Sequence, residues 1–203
     1  MLKIMLYLVV VAVFLIGLAA SYHIYKVSKN NKAEMARFEA QTPMNANFGK
    51  VLVVFYSLSG HTKDIAIEIA QKTNADIYEI KTKKTYTSPS VYTQSKKELT
   101  QKQYPLLEGD LPDISPYDIV FVGGPVWWYT MAPALYSFLR NINFSGKRVV
   151  PFSTQGSNYG TFFEDFASNA QNAKILTGEN FNNISEKYRP QVSNKINVWL
   201  NNL

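Results

Sequence analysis

Between residue 49 and the end of the chain, short apolar runs alternate with segments of helical periodicity. Strands are predicted at 51–56, 75–80, 118–122, 148–152 and 173–176, and helices at 62–72, 132–139, 161–170 and from about residue 191. The run at 51–56 is apolar throughout, which is typical of a parallel strand buried on both faces. The alternation predicts an α/β fold, a doubly wound sandwich with a five-stranded parallel sheet.

The connection 81–117 between the second and third predicted strands is long for a simple loop. An embedded helix is indicated there by Pro89 and Ser90, followed by Val91, Tyr92, Ser95 and Leu99. The 155 residues from Gly49 to Leu203 are enough for one domain with a substantial core. We therefore predict a single folded domain over residues 49–203.

The first 25 residues differ in character from the rest of the chain. The 22 residues from Ile4 to Tyr25 carry no formally charged side chain. As a helix they would be roughly 33 Å long, enough to cross a hydrocarbon core of about 30 Å. A membrane anchor over residues 1–25, a single transmembrane helix, is the first interpretation. The alternative is a cleaved signal peptide, with Lys3 as a short basic region and small residues at 17 and 19–21 as the cleavage region.

Residues 26–48 are polar and show no sustained apolar period. They predict a linker, in which the membrane helix continues and then frays into a tether. Basic side chains follow the apolar segment at Lys26, Lys29, Lys32 and Arg37. By the positive-inside rule, these side chains favour a cytoplasmic position for the domain over an extracytoplasmic one. The predicted localisation is a single-pass membrane protein that contacts lipid through residues 4–25.

The amino-acid composition excludes several classes of function. The chain has no cysteine and only two histidines, His23 and His61, so disulfide scaffolds and cysteine nucleophiles are excluded and no metal site is predicted. The net charge is +6, but five of the 21 Lys and Arg and two of the 15 Asp and Glu precede Gly49, which leaves the domain at +3. Because nucleic-acid binding requires a concentrated basic surface, no nucleic-acid partner is predicted.

Ligands of an open parallel sheet bind beyond the carboxyl ends of its strands, which directs attention to the loops after predicted strands one, three and four. The first loop contains Ser57, Leu58, Ser59, Gly60, His61 and Thr62 and leads directly into a helix. Hydroxyl groups, a glycine and free backbone N–H groups at a helix start favour phosphate binding. The alternative is that Ser59 or Thr62 only caps the helix.

The other two loops carry aromatic and amide groups. Predicted strand three leads to Pro125, Val126, Trp127, Trp128 and Tyr129, and predicted strand four leads to Thr154, Gln155, Gly156 and Ser157. Three consecutive large aromatics at a strand end favour a wall for a flat heterocycle. The alternative is a hydrophobic plug beneath the neighbouring helices. Together the three loops predict one ligand with a phosphate at one end and a planar ring at the other.

The combination of Ser57-x-Ser59-Gly60-x-Thr62 with Gly-x-Pro-Val-Trp-Trp at 123–128 resembles the flavodoxin-like proteins, in particular the bacterial subfamily that carries the second motif. The resemblance extends from Gly49 to about Leu203. It implies the strand order 2-1-3-4-5 and tightly bound FMN, with residues 57–62 at the phosphate and residues 125–129 and 154–157 along the isoalloxazine. The chain is mildly basic and has a membrane segment, so the acidic-patch docking of typical electron-carrier flavodoxins does not carry over.

Three functions are compatible with this resemblance. The first is an FMN redox protein that transfers electrons through the flavin to a redox partner protein or a small-molecule acceptor, with no catalytic residue of its own. The second is an FMN-dependent NAD(P)H:quinone oxidoreductase or a related enzyme. The third is a scaffold that has lost the flavin, and the intact hydroxyl and glycine positions of the first loop argue against it.

Overall fold

The computed structural model describes residues 2–87, 90–182 and 186–203. The helices are α1 (Leu2–Met35), α2 (His61–Thr73), α3 (Ser90–Gln101), α4 (Pro133–Asn141), α5 (Phe162–Asn169) and α6 (Arg189–Asn201). The strands are β1 (Val51–Phe55), β2 (Asp76–Glu79), β3 (Ile119–Trp127), β4 (Thr130–Met131), β5 (Arg148–Gln155), β6 (Lys174–Ile175) and β7 (Glu179–Asn182). The embedded helix is α3, although the predicted start at Pro89 lies outside the described residues.

The sheet confirms the predicted fold class and strand order. Its parallel strands lie in the order β2-β1-β3-β5-β6, which is the order 2-1-3-4-5 of the five predicted strands. The predicted count of five is too low, because β4 pairs antiparallel with β3 and β7 pairs parallel with β5. Neither additional strand is marked by an apolar run, since β4 has two residues and β7 is polar apart from Phe181.

Strands β3 and β5 continue past their predicted ends at residues 122 and 152. Gly123, Gly124 and Pro125 remain paired with β5, although Gly-Gly-Pro is typical of a strand end. A Cβ on Gly123 would lie 2.2 Å from the ring of Phe152. The glycine therefore belongs to the strand, where it makes room for the aromatic ring of the neighbouring strand.

Apolar side chains of the central strands alternate between two cores. In β1, Leu52 and Val54 face the cluster that includes α4 and α5, whereas Val51, Val53 and Phe55 face the cluster that includes α2 and α6. Full burial of one such side chain contributes roughly 1.5–3 kcal/mol. The two helical layers are thus fixed on opposite faces of the sheet, and the loops at the strand ends are held between them.

Helix α1 is both a candidate membrane span and a part of the folded domain. Its N-terminal part is exposed along its length, with a mean hydropathy of 2.7, and is long and apolar enough to cross a membrane. The helix continues beyond residue 25 to Met35. Met35 is buried in the core on the α6 side of the sheet, so the C-terminal turn of α1 packs with the domain.

The residues after α1, which the sequence predicted as a tether, lie along α6. The N–H group of Thr42 donates to Oδ1 of Asn194 at 2.7 Å, and the N–H group of Asn45 donates to Oδ1 of Asn201 at 2.9 Å. Asparagine side chains on one face of α6 therefore bind the backbone of this segment. Such contacts leave no trace in hydrophobic periodicity, on which the prediction of a tether was based.

A buried ion-pair cluster joins α1 to α6 and β7. Nζ of Lys195 lies 2.5 Å from Oε1 of Glu34 and 3.2 Å from Oε1 of Glu179, and it donates to the carbonyl oxygen of Asn180 at 2.6 Å. The Lys195 side chain is 4% exposed, so these oxygens replace water around the ammonium group. Loss of Lys195 would leave two partly buried carboxylates, which are 26% and 23% exposed, without their shared cation.

Replacing Lys195 with alanine should lower the free energy of unfolding by about 3 kcal/mol, because two carboxylates lose their shared cation. The measurement is chemical denaturation of the full-length protein in detergent micelles, followed by tryptophan fluorescence. Lys97→Ala on the exposed side of α3 is the matched control and should change stability by less than about 0.5 kcal/mol. Equal losses in the two variants would contradict a stabilising role for the cluster.

Candidate functional site

The three predicted loops meet at one edge of the sheet. They lie at the carboxyl ends of β1, β3 and β5, which are adjacent, parallel and in register. Oγ1 of Thr62 lies 2.7 Å from Oγ1 of Thr154, which joins the first loop to the third. Pro125 is paired with Thr154, and the ring of Trp127 lies 5.8 Å from the ring of Tyr56. The structure thus brings the predicted binding segments together, and the role of each residue in binding stays a prediction.

The loop from β1 to α2 turns around Gly60. Its φ of 94° is in the left-handed region that favours glycine, and its N–H group donates to Oγ of Ser57 at 3.2 Å. The carbonyl oxygen of Gly60 accepts the N–H group of Asp64 at 2.9 Å. The N–H groups of His61 and Thr62 precede this first intrahelical bond and have no acceptor within the helix. Together with the positive end of the helix dipole they form a cradle for an anion.

Neither hydroxyl residue at this helix start serves as its N-cap. The N-cap is Gly60, and no side-chain hydrogen bond caps α2, all of whose residues are described. Ser59 is exposed, whereas Thr62 is buried with its hydroxyl directed to Thr154. The capping alternative is therefore wrong for Ser59 and Thr62, and both hydroxyl groups are free of that role.

Trp128 and Tyr129 form a two-residue turn between β3 and β4. Their φ values are 53° and 63°, and the preceding Val126 and Trp127 pair antiparallel with β4. Positive φ at both central positions is the geometry of a type I′ hairpin, in which Asn-Gly is the preferred sequence. A left-handed conformation costs roughly 1–2 kcal/mol for each non-glycine residue. Strain of this kind clusters at functional sites.

The two tryptophans have different environments. Trp127 is enclosed edge-on between Tyr56 and Tyr86, with ring centroids at 5.8 and 5.0 Å. Trp128 is 43% exposed, and its Nε1 donates to Oγ of Ser95 in α3 at 3.0 Å. Trp127 therefore has the packing of a hydrophobic plug, whereas Trp128 retains an accessible aromatic surface.

The third loop is split between strand and turn. Thr154 and Gln155 belong to β5 and are buried, whereas Gly156 and Ser157 are exposed. Nε2 of Gln155 donates to Oδ1 of Asn180 in β7 at 2.9 Å. The Gln155 side chain is thus engaged with β7.

A family model described as flavodoxin matches residues 50–203. The chain belongs to the flavodoxin family. A solved structure from Bacteroides uniformis, described as a proposed flavoprotein, is 26% identical with a TM-score of 0.65, over 75% of this chain and 98% of that chain. A similar one from Bacteroides eggerthii is 26% identical with a TM-score of 0.65, over 75% of this chain and 96% of that chain.

A flavoprotein of Lactobacillus acidophilus, solved in complex with FMN, has the same fold at 22% identity and a TM-score of 0.60, over 64% of this chain and 92% of that chain. A comparison with functionally curated proteins found no match. Within residues 2–87, 90–182 and 186–203, no three His, Asp or Glu side chains converge in a way that could hold a metal ion.

The flavodoxin domain also has a polar cluster beside the turn that sequence analysis missed. The hydroxyl of Tyr136 lies 2.7 Å from Oγ1 of Thr130, which donates to Oδ2 of Asp165. Oγ1 of Thr161 donates to the same carboxylate oxygen at 2.6 Å. Burial raises the pKa of Tyr136 to about 12, so this phenol loses its proton only at a more alkaline pH than an ordinary tyrosine. No local pattern could reveal the cluster, because its members come from separate elements.

A second missed cluster lies behind Trp127. The hydroxyl of Tyr86 donates to Oε2 of Glu98 at 2.5 Å. The pKa values of Tyr86 and Tyr56 are both raised above the ordinary value for a phenol. Burial is the larger cause, and the nearby Glu98 carboxylate is the smaller one. Both phenol rings meet the indole of Trp127 in a T-shaped arrangement, with interplanar angles of 83° for Tyr56 and 86° for Tyr86.

Tyr129→Asn should raise the melting temperature of the FMN-free protein by about 2–4 °C, because asparagine tolerates a left-handed backbone and relieves about 1 kcal/mol of strain. Tyr129→Val should lower the melting temperature, because a β-branched side chain is disfavoured at positive φ. Calorimetric scans of both variants provide the measurement. A lower melting temperature in both would mean that contacts of the Tyr129 side chain outweigh the backbone strain.

Proposed function

We propose that this flavodoxin is an electron-transfer protein that acts through bound FMN. The observation that carries the proposal is the convergence of an anion cradle, a strained aromatic turn and the β5 loop at one edge of the sheet. Membership in the flavodoxin family and the FMN complex of the Lactobacillus acidophilus relative support FMN as the cofactor. FMN supplies the redox chemistry when bound, while the chain binds and orients it.

The first loop would hold the FMN phosphate. Donors available there are the hydroxyl groups of Ser57, Ser59 and Thr62 and the backbone N–H groups of Leu58, Ser59, His61 and Thr62. The N–H group of Gly60 already donates to Oγ of Ser57 and shapes the turn. Hydrogen bonds to a charged acceptor are about twice as strong as neutral ones, and the dipole of α2 favours negative charge at this point. In this assignment the His61 ring, which is exposed, is not a required contact.

The aromatic turn and the β5 loop would flank the isoalloxazine ring. Residues 125–129 supply the aromatic surface on one side, and residues 154–157 supply backbone groups on the other. Trp128 and Tyr129 are 43% and 66% exposed, which leaves both side chains available to a ring ligand. An apolar aromatic surface disfavours an added negative charge on the ring, so this turn would tune the flavin potential.

We favour electron transfer over hydride-accepting catalysis as the function of the site. The Asp165 carboxylate, next to the turn, accepts the hydroxyl groups of Thr130 and Thr161. Two structural hydrogen bonds thus occupy this carboxylate. Electron transfer through a flavin requires no acid or base from the protein.

We further propose that α1 anchors this domain in a membrane as a single-pass span. The length and hydropathy of its exposed N-terminal part support insertion. The basic residues Lys26, Lys29, Lys32 and Arg37 behind the apolar stretch favour a cytoplasmic position for the domain. The electron-transfer partner would then be a membrane-associated redox protein or a small-molecule acceptor.

The full-length protein, purified in detergent, should be yellow and contain about one FMN per chain, and NADH or NADPH alone should not reduce the flavin. Absorption spectra taken before and after addition of each nucleotide test both statements. A correctly folded, colourless protein that does not take up added FMN would contradict the proposed function. Rapid reduction by either nucleotide would favour the oxidoreductase alternative.

Replacing Ser59 and Thr62 together with alanine should weaken FMN binding far more than riboflavin binding, because each hydroxyl hydrogen bond to the phosphate contributes roughly 1.5–3 kcal/mol. Titration of both flavins into the FMN-free protein, followed by flavin fluorescence, measures the difference. Ser157→Ala, in the ring loop, is a matched control that should not discriminate between the two ligands. Equal losses for FMN and riboflavin in the double variant would contradict a phosphate site in the first loop.

A further inference from the structure

From residue 26 to its end at Met35, α1 lies along the flavodoxin domain. The less exposed side chains of this part and of the turn after it recur with helical spacing at Val27, Asn31, Glu34, Met35 and Phe38. In the other direction, residues 3–22 are exposed throughout. Residues 4–22 span about 28 Å at 1.5 Å per residue, close to the hydrocarbon thickness of about 30 Å. The membrane surface would therefore lie near His23.

A cleft of about 350 Å³ lies between α1 and the domain at this level. Its lining includes His23, Ile24, Val27 and Asn31 from the helix and Gly156, Asn182 and Tyr188 from the domain. Gly156 also belongs to the loop that we place beside the flavin ring. The cleft thus adjoins the proposed flavin site on one side and the membrane surface on the other, and its volume is in the usual range for small-molecule sites.

The chemistry of the lining favours a neutral ligand with both polar and apolar parts. Imidazole, amide and phenol groups can donate hydrogen bonds to carbonyl oxygens, while Ile24 and Val27 add apolar surface to the lining. The Glu34 carboxylate is already paired with Lys195 at 2.5 Å. Nζ of Lys187 lies over the ring of Tyr188 at 4.8 Å. Among the described residues that line the cleft, Lys187 is the one Lys or Arg, so the cleft lacks the cluster of cations that an anionic headgroup would favour.

We propose that this cleft binds the headgroup of a membrane quinone, which exchanges electrons with the flavin. A quinone is neutral and planar, carries two carbonyl acceptors and an apolar tail, and dissolves in the membrane into which α1 would insert. The electron exchange rests on the proposed function, whereas quinone binding to the cleft does not require bound FMN.

The redox balance of this exchange is simple. Conversion of one quinone to the quinol requires two electrons and two protons, which fully reduced FMN would supply when bound. A reduced redox protein would then supply two electrons, and solvent two protons, to restore the reduced flavin. The reverse direction, from quinol to an oxidised redox protein, uses the same contacts.

The test is binding of a decyl-benzoquinone to the full-length protein in detergent micelles, measured by calorimetry on FMN-free and FMN-loaded samples. Val27→Trp should fill the cleft and weaken quinone binding roughly tenfold or more, and Asn31→Leu should weaken it by removing a donor without adding bulk. Lys29→Trp, on the opposite side of α1, is the matched control and should leave binding within about twofold of wild type.

Absence of quinone binding in the wild type, or equal effects of Val27→Trp and Lys29→Trp together with no effect of Asn31→Leu, would overturn the inference. FMN affinity is measured on the same preparations by flavin fluorescence. Normal FMN binding without quinone binding would overturn only the quinone site. Quinone binding in a protein that binds no FMN would instead contradict the proposed function and the electron exchange, while binding to the cleft would stand.

Discussion

Parallel pairing of β1, β3 and β5 makes three loops leave the sheet at the same edge, and the rest of the site depends on that pairing. The close approach of Gly123 to the Phe152 ring allows β3 and β5 to stay paired as far as Pro125 and Thr154. A shorter pairing would separate the aromatic turn from the β5 loop. The contact between Thr62 and Thr154 adds the first loop to the same edge.

The aromatic turn shows how tertiary contacts maintain an unfavourable local conformation. A Cβ on Gly160 would lie 2.0 Å from the carbonyl oxygen of Tyr129, and the N–H group of Thr161 donates to that oxygen at 2.8 Å. The start of α5 thus packs directly on the turn. Together with the hydrogen bond from Trp128 to Ser95, these contacts offset the cost of two left-handed aromatic residues.

The attachment of α1 links the proposed membrane position to the proposed cofactor site. A free tether would let the domain adopt any orientation at the membrane. The buried cluster around Lys195 and the asparagine contacts of α6 instead hold the end of α1 and the residues behind it against the domain. Residues of α1 and Gly156 line the same cleft. The edge of the sheet that carries the three loops is therefore on the same side of the domain as the proposed membrane span.

Local patterns were sufficient for the architecture and for placing the three predicted loops at one edge of the sheet. Continuous apolar runs and helical periodicity predicted the parallel sheet, its helices and the apolar span, because burial on two faces or in lipid requires those patterns. They failed at β4 and β7, at the extension of β3 through Gly-Gly-Pro, and at the residues behind α1. In each of these places pairing with a neighbouring strand or helix supplies the stabilisation, and a polar or glycine-rich sequence carries no pattern that identifies the partner.

The sequence by itself therefore determined which residues form the main strands of the sheet and which loops lie at its carboxyl edge. Only the tertiary structure decided the strained conformation of the Trp128-Tyr129 turn, the hydrogen bond from Gln155 to β7 and the position of α1. Each of these depends on contacts between segments far apart in the chain.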